Sequence, residues 1–350
     1  MRLPATPVAL LRLLSFALLS ACMLAGNAIA DAPPAADDGY RHYVIGDPAT
    51  ARPGKVEPGL MLVGGGEWPY DAFRWMIERA GHGHIVVLRA SGDTEAQDEF
   101  YKDIGGVASA ETFVFSDRKA ASDPGVLAAI AAADGIFIAG GDQSNYVRYW
   151  KGTPLNAALD RHVSEGKPLG GTSAGLAILG AWAYGAMDGG SMTSDVALHD
   201  PLDPGMTLVG DFLHLPYLQH VITDSHFGKR DRLGRLIAFI AKLRSEGVVD
   251  VVGLGIDEGA ALCIDGDGVG RLYPGAENGH AWLVQPTGAP ARVERGKPLE
   301  FSGVRITGIG ADSRLQLQDL SVQAPAFDKI ADAGDGQLLL RDRSASTTSR

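Results

Sequence analysis

The sequence predicts an α/β fold built on a parallel β-sheet with helices on both faces. Short apolar runs recur along the chain, segments of helical periodicity separate them, and glycine-rich turns follow several of the runs. Continuous apolar runs are typical of strands buried on both sides, and their alternation with helices indicates a parallel sheet. Of the 350 residues, 45% are hydrophobic, which is enough for a sizeable core.

The first thirty residues have the pattern of an export signal. Arg2 and Arg12 frame a short basic region, an apolar stretch follows, and Ala-Ile-Ala at 28–30 is a small-x-small cleavage motif. The alternative is the bacterial lipoprotein motif that ends at Cys22, whose thiol carries a lipid after cleavage. We therefore expect a secreted or periplasmic protein, with a lipoprotein anchored through Cys22 as the alternative.

Charge and cysteine content limit the partners of the folded part. Loss of the two signal arginines takes the formal net charge from −11 to −13, which disfavours binding to nucleic acid or to an anionic membrane surface. Cys263 is the one cysteine within the region expected to fold. No intrachain disulfide is therefore expected, even in an oxidising compartment.

The composition divides the chain into four parts. Residues 1–30 are the expected signal peptide, and residues 31–58, rich in Ala, Pro, Asp and Gly, are an expected N-terminal arm or linker. Residues 59–335 form one expected domain, and residues 336–350 are an expected disordered tail.

Within the domain, strands and helices alternate before the pattern changes near residue 260. The expected strands lie at 60–63, 84–88, 112–115, 135–139, 167–171, 221–226 and 249–258, and the expected helices lie near 70–80, 96–104, 124–132 and 230–245. After residue 260, short strands and a hairpin signal at 265–268 predict a C-terminal β extension of the same domain.

Residues 171–175, Gly-Thr-Ser-Ala-Gly, match the G-x-S-x-G nucleophile elbow between a strand and a helix. The serine of such a turn has a strained backbone and needs small neighbours, and Gly171, Ala174 and Gly175 meet that need. A helix that begins at Ala174 would direct free N–H groups toward the serine, where an oxyanion forms. Ser173 is therefore the candidate nucleophile, with an ordinary glycine-rich turn as the alternative.

Two further glycine-rich turns are expected at the same edge of the sheet, at 64–67 and 140–143, because the carboxyl ends of parallel strands meet there. Neither has the lysine of a phosphate-binding loop or G-x-G-x-x-G spacing, so no nucleotide cofactor is expected. The second turn can instead supply a backbone N–H that completes an oxyanion hole with Ala174. An ordinary turn is again the alternative.

A serine nucleophile needs a base and an acid that orients the base. His226 stands out among nine histidines because it closes a strand, follows a polar Asp-Ser pair and precedes a cluster of arginines. Glu258 ends the next strand and is the natural orienting acid, whereas Asp257 lies one pleat away and would face the other side. The other histidines lack the carboxylate or cysteine spacing of a metal site, so no metal is predicted.

Two alternatives remain open from the residues alone. An α/β-hydrolase esterase would use Ser173, Asp265 and His280, in the chain order that this fold demands. A non-catalytic binding protein of the same fold would use none of them for chemistry.

Three arginines, Arg230, Arg232 and Arg235, lie in the first turns of the helix expected at 230–245. Cations at a helix N-terminus oppose the macrodipole, so a compensating anionic ligand is the simplest explanation. Solvated charges or local ion pairs, including one with Asp231, are the alternative.

Four ordered motifs together resemble the cyanophycinase and dipeptidase E family of serine exopeptidases. They are residues 140–143, 170–175, 224–227 with the three arginines, and 253–258, and the resemblance spans about residues 59–264. It implies an α/β fold of class I glutamine amidotransferase-like type, an acyl-enzyme mechanism, no cofactor and a homodimer. The substrate implied is cyanophycin, a poly-aspartate with arginine on each side-chain carboxyl, which the family cuts to β-Asp-Arg.

The resemblance also implies roles for individual residues. Ser173, His226 and Glu258 would form the catalytic triad, with Asp188 as an alternative acid. Gly141 and Ala174 would supply the oxyanion amides. The residues implied to bind the substrate are Gln143, Asp224, Arg230, Arg232 and Arg235. Ser225 stands where cyanophycinases usually have glutamine.

Overall fold

The computed structural model describes residues 38–51 and 54–343. The signal peptide expected at 1–30 and the lipid site expected at Cys22 lie outside these residues. Within the described ranges, no helix is both long and apolar enough to cross a membrane.

Strands and helices alternate through the first half of the chain, and strands dominate after residue 250. The strands are β1 (Tyr40–Gly46), β2 (Gly59–Val63), β3 (His84–Arg89), β4 (Ser109–Phe115), β5 (Gly135–Ile138), β6 (Leu169–Thr172), β7 (Trp182–Tyr184), β8 (Leu208–Gly210), β9 (Val221–Asp224), β10 (Val252–Ile256), β11 (Ala261–Asp265), β12 (Val269–Tyr273), β13 (Ala281–Pro286), β14 (Phe301–Ile309), β15 (Arg314–Gln316), β16 (Ser321–Gln323), β17 (Phe327–Gly334) and β18 (Gln337–Asp342). The helices are α1 (Tyr70–Arg79), α2 (Glu95–Asp98), α3 (Pro124–Ala132), α4 (Gln143–Trp150), α5 (Pro154–Ser164), α6 (Ala174–Ala177), α7 (Ser194–His199) and α8 (Leu233–Ser245), with a π-helical turn at Glu99–Ile104 and a 3-10 helix at Arg118–Ser122.

The first sheet has the order β1-β4-β3-β5-β6-β2-β11-β12-β15-β16, and its strands β4, β3, β5, β6 and β2 run parallel. Alternate residues of a strand point to opposite faces. Leu60 and Leu62 accordingly join a core covered by α3, α4 and α5, whereas Met61 and Val63 join a second core covered by α1. The predicted three-layer α/β fold with a parallel sheet is confirmed.

A second sheet has the order β18-β17-β14-β13-β10-β9-β7-β8. Its strands β7, β9 and β10 run parallel and the others antiparallel. Helix α8 packs on this sheet through a third apolar core that includes Leu236, Ile240 and Val284. The predicted C-terminal β extension is present, and its strands extend both sheets.

Two strands correct the expected boundaries of the domain. β1 lies within the arm expected at 31–58 and pairs antiparallel with β4, where His42 stacks on Phe113. β18 lies within the disordered tail expected at 336–350 and pairs with β17, after a turn in which Asp335 and Gly336 both have positive φ. Each is an edge strand held by main-chain hydrogen bonds to one neighbour, and amino-acid composition does not report such pairing.

Candidate active site

Ser173 lies on a tight turn between β6 and α6, with φ 53° and ψ −114°. The turn tolerates no side chain at its glycines. A Cβ on Gly171 would lie 2.7 Å from the carbonyl oxygen of Gly175, and a Cβ on Gly175 would lie 2.1 Å from that of Ile138. The strained serine and its small neighbours are those of a nucleophile elbow. Helix α6 has only four residues, so the individual N–H groups matter more than the helix dipole.

A continuous chain of hydrogen bonds leads from the serine to a carboxylate. Ser173 Oγ lies 2.8 Å from His226 Nε2, and His226 Nδ1 lies 2.9 Å from Glu258 Oε1. With the proton of the neutral imidazole on Nδ1, the ring donates to Glu258 and accepts from the serine hydroxyl. This is the arrangement in which a histidine can take the proton of an attacking serine.

Three consecutive carbonyls at the end of β2 hold the backbone of these residues. The carbonyl oxygens of residues 63, 64 and 65 accept, in that order, from the N–H groups of Ser173 (3.1 Å), His226 (2.7 Å) and Gly259 (2.7 Å). We call residues 63–65 the carbonyl clamp. Gly259 directly follows Glu258, so the clamp fixes the main chain at the nucleophile and the base, and beside the acid.

The glycines at the end of β2 are required because the catalytic side chains lie against them. A Cβ on Gly65 would lie 2.3 Å from the imidazole of His226, and a Cβ on Gly66 would lie 2.5 Å from Cγ of Glu258. Both glycines also have positive φ, which disfavours a side chain there. The sequence shows the glycine run at 64–66 but not this role, because the run has no motif that connects it to a serine elbow.

The alternative acid Asp188 does not reach the base. One of its carboxylate oxygens accepts from the N–H of Gly190 at 3.3 Å, in the loop after β7. Glu258, and not Asp188, lies beside Nδ1 of His226. The structure therefore does not place Asp188 as the acid that orients the base. Asp257 faces away as expected, because it accepts from the N–H of Gly228 and from the indole of Trp282.

The esterase alternative is not assembled. Asp265 ends β11, where it accepts from the N–H groups of Asp267 and Val269 in the β11–β12 hairpin. His280 instead lies 3.9 Å from Asp257 and packs against Phe327. The structure therefore pairs Ser173 with His226, because the turn after β9, and not the end of β11, lies beside the elbow.

A cavity of about 220 Å³ opens beside Ser173, and we call it the catalytic cavity. Its lining includes all the residues implied to stabilise the oxyanion or to bind substrate: Gly141, Gln143, Ala174, Asp224, Arg230, Arg232 and Arg235. The N–H groups of Gly141 and Ala174 make no hydrogen bond to another described residue, so both are available to a substrate oxygen. Within the described part of the chain, no group of His, Cys, Asp and Glu side chains is arranged to hold a metal ion.

The three arginines of the cavity have different surroundings. Asp224 binds Arg235 through two hydrogen bonds of 2.7 and 2.5 Å, and Arg232 lies 3.4 Å from the same carboxylate. Asp224 and Arg235 are each 2% exposed. Arg230 is exposed and has no ion pair among the described residues. The free positive charge of the cavity therefore comes from Arg230.

The structure corrects two expectations: the residue at which the helix begins, and the anion that balances the charge of the arginines. Helix α8 begins at Leu233, because Asp231 has a φ of 48° and interrupts helical geometry before it. The carboxylate that compensates Arg232 and Arg235 is Asp224 of the protein itself, rather than Asp231 or a bound ligand.

The environment of His226 favours the neutral imidazole. Burial lowers the pKa of His226, and the nearby cation of Arg230 lowers it further, whereas the hydrogen bond to Glu258 opposes both. A group whose folded pKa is lowered stays unprotonated to more acidic pH. The base is therefore ready to accept a proton at neutral pH.

We expect kcat/KM to fall on the acid side with a midpoint below 6.5, the usual pKa of histidine. Replacement of Arg230 with Gln is expected to move this midpoint to higher pH, because a cation that opposes the imidazolium is removed. Arg341→Gln is the control, since Arg341 lies on β18 at the edge of the second sheet. Equal midpoints for wild type and Arg230→Gln would contradict the prediction.

The class of the site follows from these observations. A serine on a nucleophile elbow, hydrogen bonded through a histidine to a glutamate, has the arrangement of a serine-hydrolase site at the carboxyl edge of an α/β sheet. The family model described as Peptidase family S51 matches residues 99–272. Over just under half of its length, the chain is therefore similar to peptidase family S51.

Proteins similar in sequence to this chain are named cyanophycinase, and a solved structure similar to it is described as a peptidase. The chain is 33% identical over 229 residues to a cyanophycinase of Synechococcus elongatus, an alignment that covers 63% of this chain and 65% of that protein. It is 28% identical over 231 residues to a cyanophycinase of Trichormus variabilis, covering 65% and 71%. The chain thus spans slightly less than two thirds of the length of the first relative. A crystal structure of a peptidase from an acI-B1 actinobacterium is 20% identical with a TM-score of 0.48, covering 75% of this chain and 98% of that one.

Proposed function

We propose that this chain is an exported serine exopeptidase of the cyanophycinase type, which hydrolyses cyanophycin or related aspartyl and isoaspartyl peptides. The observation that carries the proposal is the hydrogen-bond chain from Ser173 through His226 to Glu258 beside a cavity that carries positive charge. Similarity to proteins named cyanophycinase supports the substrate class. The proposal includes a homodimer, and export as a free or a lipid-anchored protein.

In the first half of the reaction, Ser173 Oγ attacks the carbonyl carbon of the scissile amide while Nε2 of His226 takes the hydroxyl proton. The carbonyl oxygen becomes negatively charged, and the N–H groups of Gly141 and Ala174 are placed to stabilise it. Collapse of this intermediate breaks the C–N bond. The proton on Nε2 passes to the leaving amine, and the acyl group remains on Ser173 as an ester.

In the second half, a water molecule attacks the ester carbon and gives its proton to Nε2 of His226. Collapse then breaks the bond between the acyl carbon and Oγ, and Ser173 recovers its proton from the imidazolium. Glu258 stabilises the imidazolium in both halves. It stays ionised because the nearby Lys229 and the contact with His226 both lower the pKa of its carboxyl.

Arg230 is the residue that we assign to a substrate carboxylate. Its guanidinium is exposed within the lining of the catalytic cavity, so it can bind an anion without first breaking an internal ion pair. Arg232 and Arg235 instead hold Asp224 and so shape the wall of the cavity. Ser225 is buried and lies 3.3 Å from Arg232 through its hydroxyl. Ser225 lines the catalytic cavity, and its side chain is smaller than the glutamine that cyanophycinases usually have there. The contacts to substrate can therefore differ at this position, so we include related aspartyl peptides among the substrates.

The test is release of β-Asp-Arg from purified cyanophycin, measured by mass spectrometry for the wild type and for Ser173→Ala. We expect release by the wild type and none by the variant, because the variant has no nucleophile. Labelling of Ser173 by a fluorophosphonate probe separates reaction from substrate. Labelling without β-Asp-Arg release would overturn the cyanophycin assignment alone, whereas a protein that is not labelled would overturn the peptidase mechanism.

A further inference from the structure

The two carboxylate oxygens of Glu258 have different partners. Oε1 lies 2.9 Å from Nδ1 of His226, and Oε2 lies 2.8 Å from Nζ of Lys229. No backbone N–H of the described residues donates to either oxygen. The neighbouring Asp257 is held quite differently, since two backbone N–H groups and one indole N–H donate to it.

Lys229 comes from the same turn as the catalytic base. The N–H of Arg230 donates to the carbonyl oxygen of His226 at 3.1 Å, and the N–H of Asp231 donates to that of Gly228 at 3.0 Å. This turn presents an imidazole and an ammonium group to one carboxylate. A single segment of chain therefore contacts both carboxylate oxygens of Glu258, through His226 at Oε1 and through Lys229 at Oε2.

The ion pair contributes little to the stability of the fold, because the Lys229 side chain is 64% exposed. The contact bears instead on the orientation of the Glu258 carboxylate. Glu258 lies in the connection between β10 and β11, and Gly66 packs against its Cγ without a side chain that could confine it. Without Lys229, rotation about the side-chain bonds of Glu258 can carry Oε1 away from Nδ1.

We propose that Lys229 is a positioning residue of the catalytic triad, which holds Glu258 in the orientation that receives the Nδ1–H of His226. This inference rests on the proposed triad and deepens it. Lys229 acts through Glu258 and does not touch the reacting atoms.

Position and charge can be separated by the direction of a pH shift. The charged groups that act on His226 are Glu258, Arg230 and Arg232, and those that act on Lys229 are Glu258, Glu277 and Arg230. If Lys229 acted by charge alone, its removal would raise the pKa of His226, because one nearby cation is lost. If Lys229 positions Glu258, its removal weakens the contact that stabilises the imidazolium, and the pKa of His226 falls.

The experiment measures the rate constant for fluorophosphonate labelling of Ser173 as a function of pH in wild type, Lys229→Met and Lys229→Arg. This readout requires only the triad and no knowledge of the natural substrate. In Lys229→Met we expect the plateau rate constant to fall by about tenfold, as for a slightly misplaced catalytic group, and the acid midpoint to move to lower pH. Lys229→Arg keeps a donor of the same charge and should restore both.

Lys102→Met is the matched control, because Lys102 is similarly exposed and also pairs with a carboxylate, that of Asp98. Lys102 neither lines the catalytic cavity nor contacts Glu258. It should label like wild type. Added salt should also slow labelling of the wild type more than that of Lys229→Met, since salt screens an exposed ion pair.

Two results would overturn the positioning role. One is a Lys229→Met variant that labels at the wild-type rate, and the other is an acid midpoint that rises while the plateau is unchanged. A wild-type protein that is labelled but does not cleave cyanophycin would overturn the substrate proposal and leave the role of Lys229 in force. A wild-type protein that is not labelled would overturn the triad on which both depend.

Discussion

Replacing His226 with alanine is expected to lower kcat/KM by roughly 10⁴- to 10⁶-fold, the range for loss of the base in a serine triad. The imidazole lies 2.8 Å from Ser173 Oγ, and the structure describes no other side chain that accepts a hydrogen bond from that hydroxyl. Without it, the serine proton has no acceptor as the nucleophile attacks. Steady-state hydrolysis of an isoaspartyl peptide, with far-UV circular dichroism to verify folding, measures the effect.

His280→Ala is the matched control for this experiment. His280 is the base that the esterase alternative requires, and it lies beside Asp257 and Phe327 rather than beside Ser173. We expect its removal to leave kcat/KM unchanged. A large loss of activity in His280→Ala with retention in His226→Ala would reverse the assignment of the base.

The second large effect is expected in stability. Asp224→Ala is expected to lower the free energy of unfolding by about 3–5 kcal/mol, because it leaves a buried charge without its partner. Arg235 is 2% exposed and both of its hydrogen bonds to Asp224 would be lost. The buried Arg232 would lose its ion pair at the same time. Urea denaturation of the variant and the wild type measures the difference.

Two further variants test the cause of this loss. Asp195→Ala removes a carboxylate that is 82% exposed and that, among the described residues, forms an ion pair with His199 alone, so it should change stability little. The double variant Asp224→Ala with Arg235→Met also removes the orphaned charge and should recover part of the loss. A single variant Asp224→Ala as stable as wild type would show that the buried pair does not stabilise the fold.

The parallel sheet was predictable because its signals are local. Strands β2, β3, β4 and β5 are buried along their whole length or nearly so, and such strands appear in sequence as apolar runs. The elbow was predictable for a different reason. Its glycines lie so close to neighbouring backbone that no larger residue fits. This need for small residues is visible in the sequence as a motif of five consecutive residues, 171–175.

The partners of the charged residues were not predictable in the same way. Asp224 and Arg235 are both in the cavity, but their residue types fit substrate binding as well as they fit an internal pair. Whether these two residues pair with each other or with a ligand depends on the tertiary contact between Arg235 of α8 and Asp224 at the end of β9. The contact of Lys229 with Glu258 joins a turn after β9 to a loop after β10, and no local pattern records it.

The carbonyl clamp has a consequence for tolerance to change. Carbonyl oxygens belong to every residue type, so the hydrogen bonds of the clamp need no particular side chain, whereas the space around Gly64 and Gly65 admits none. Successive Cα atoms are about 3.8 Å apart, and this covalent interval spaces the contacts to the nucleophile, the base and the residue after the acid. The main chain at the nucleophile and the base, and beside the acid, is thus held by one short stretch. Volume changes in the three apolar cores should therefore alter how long the enzyme stays folded more than how fast it turns over while folded.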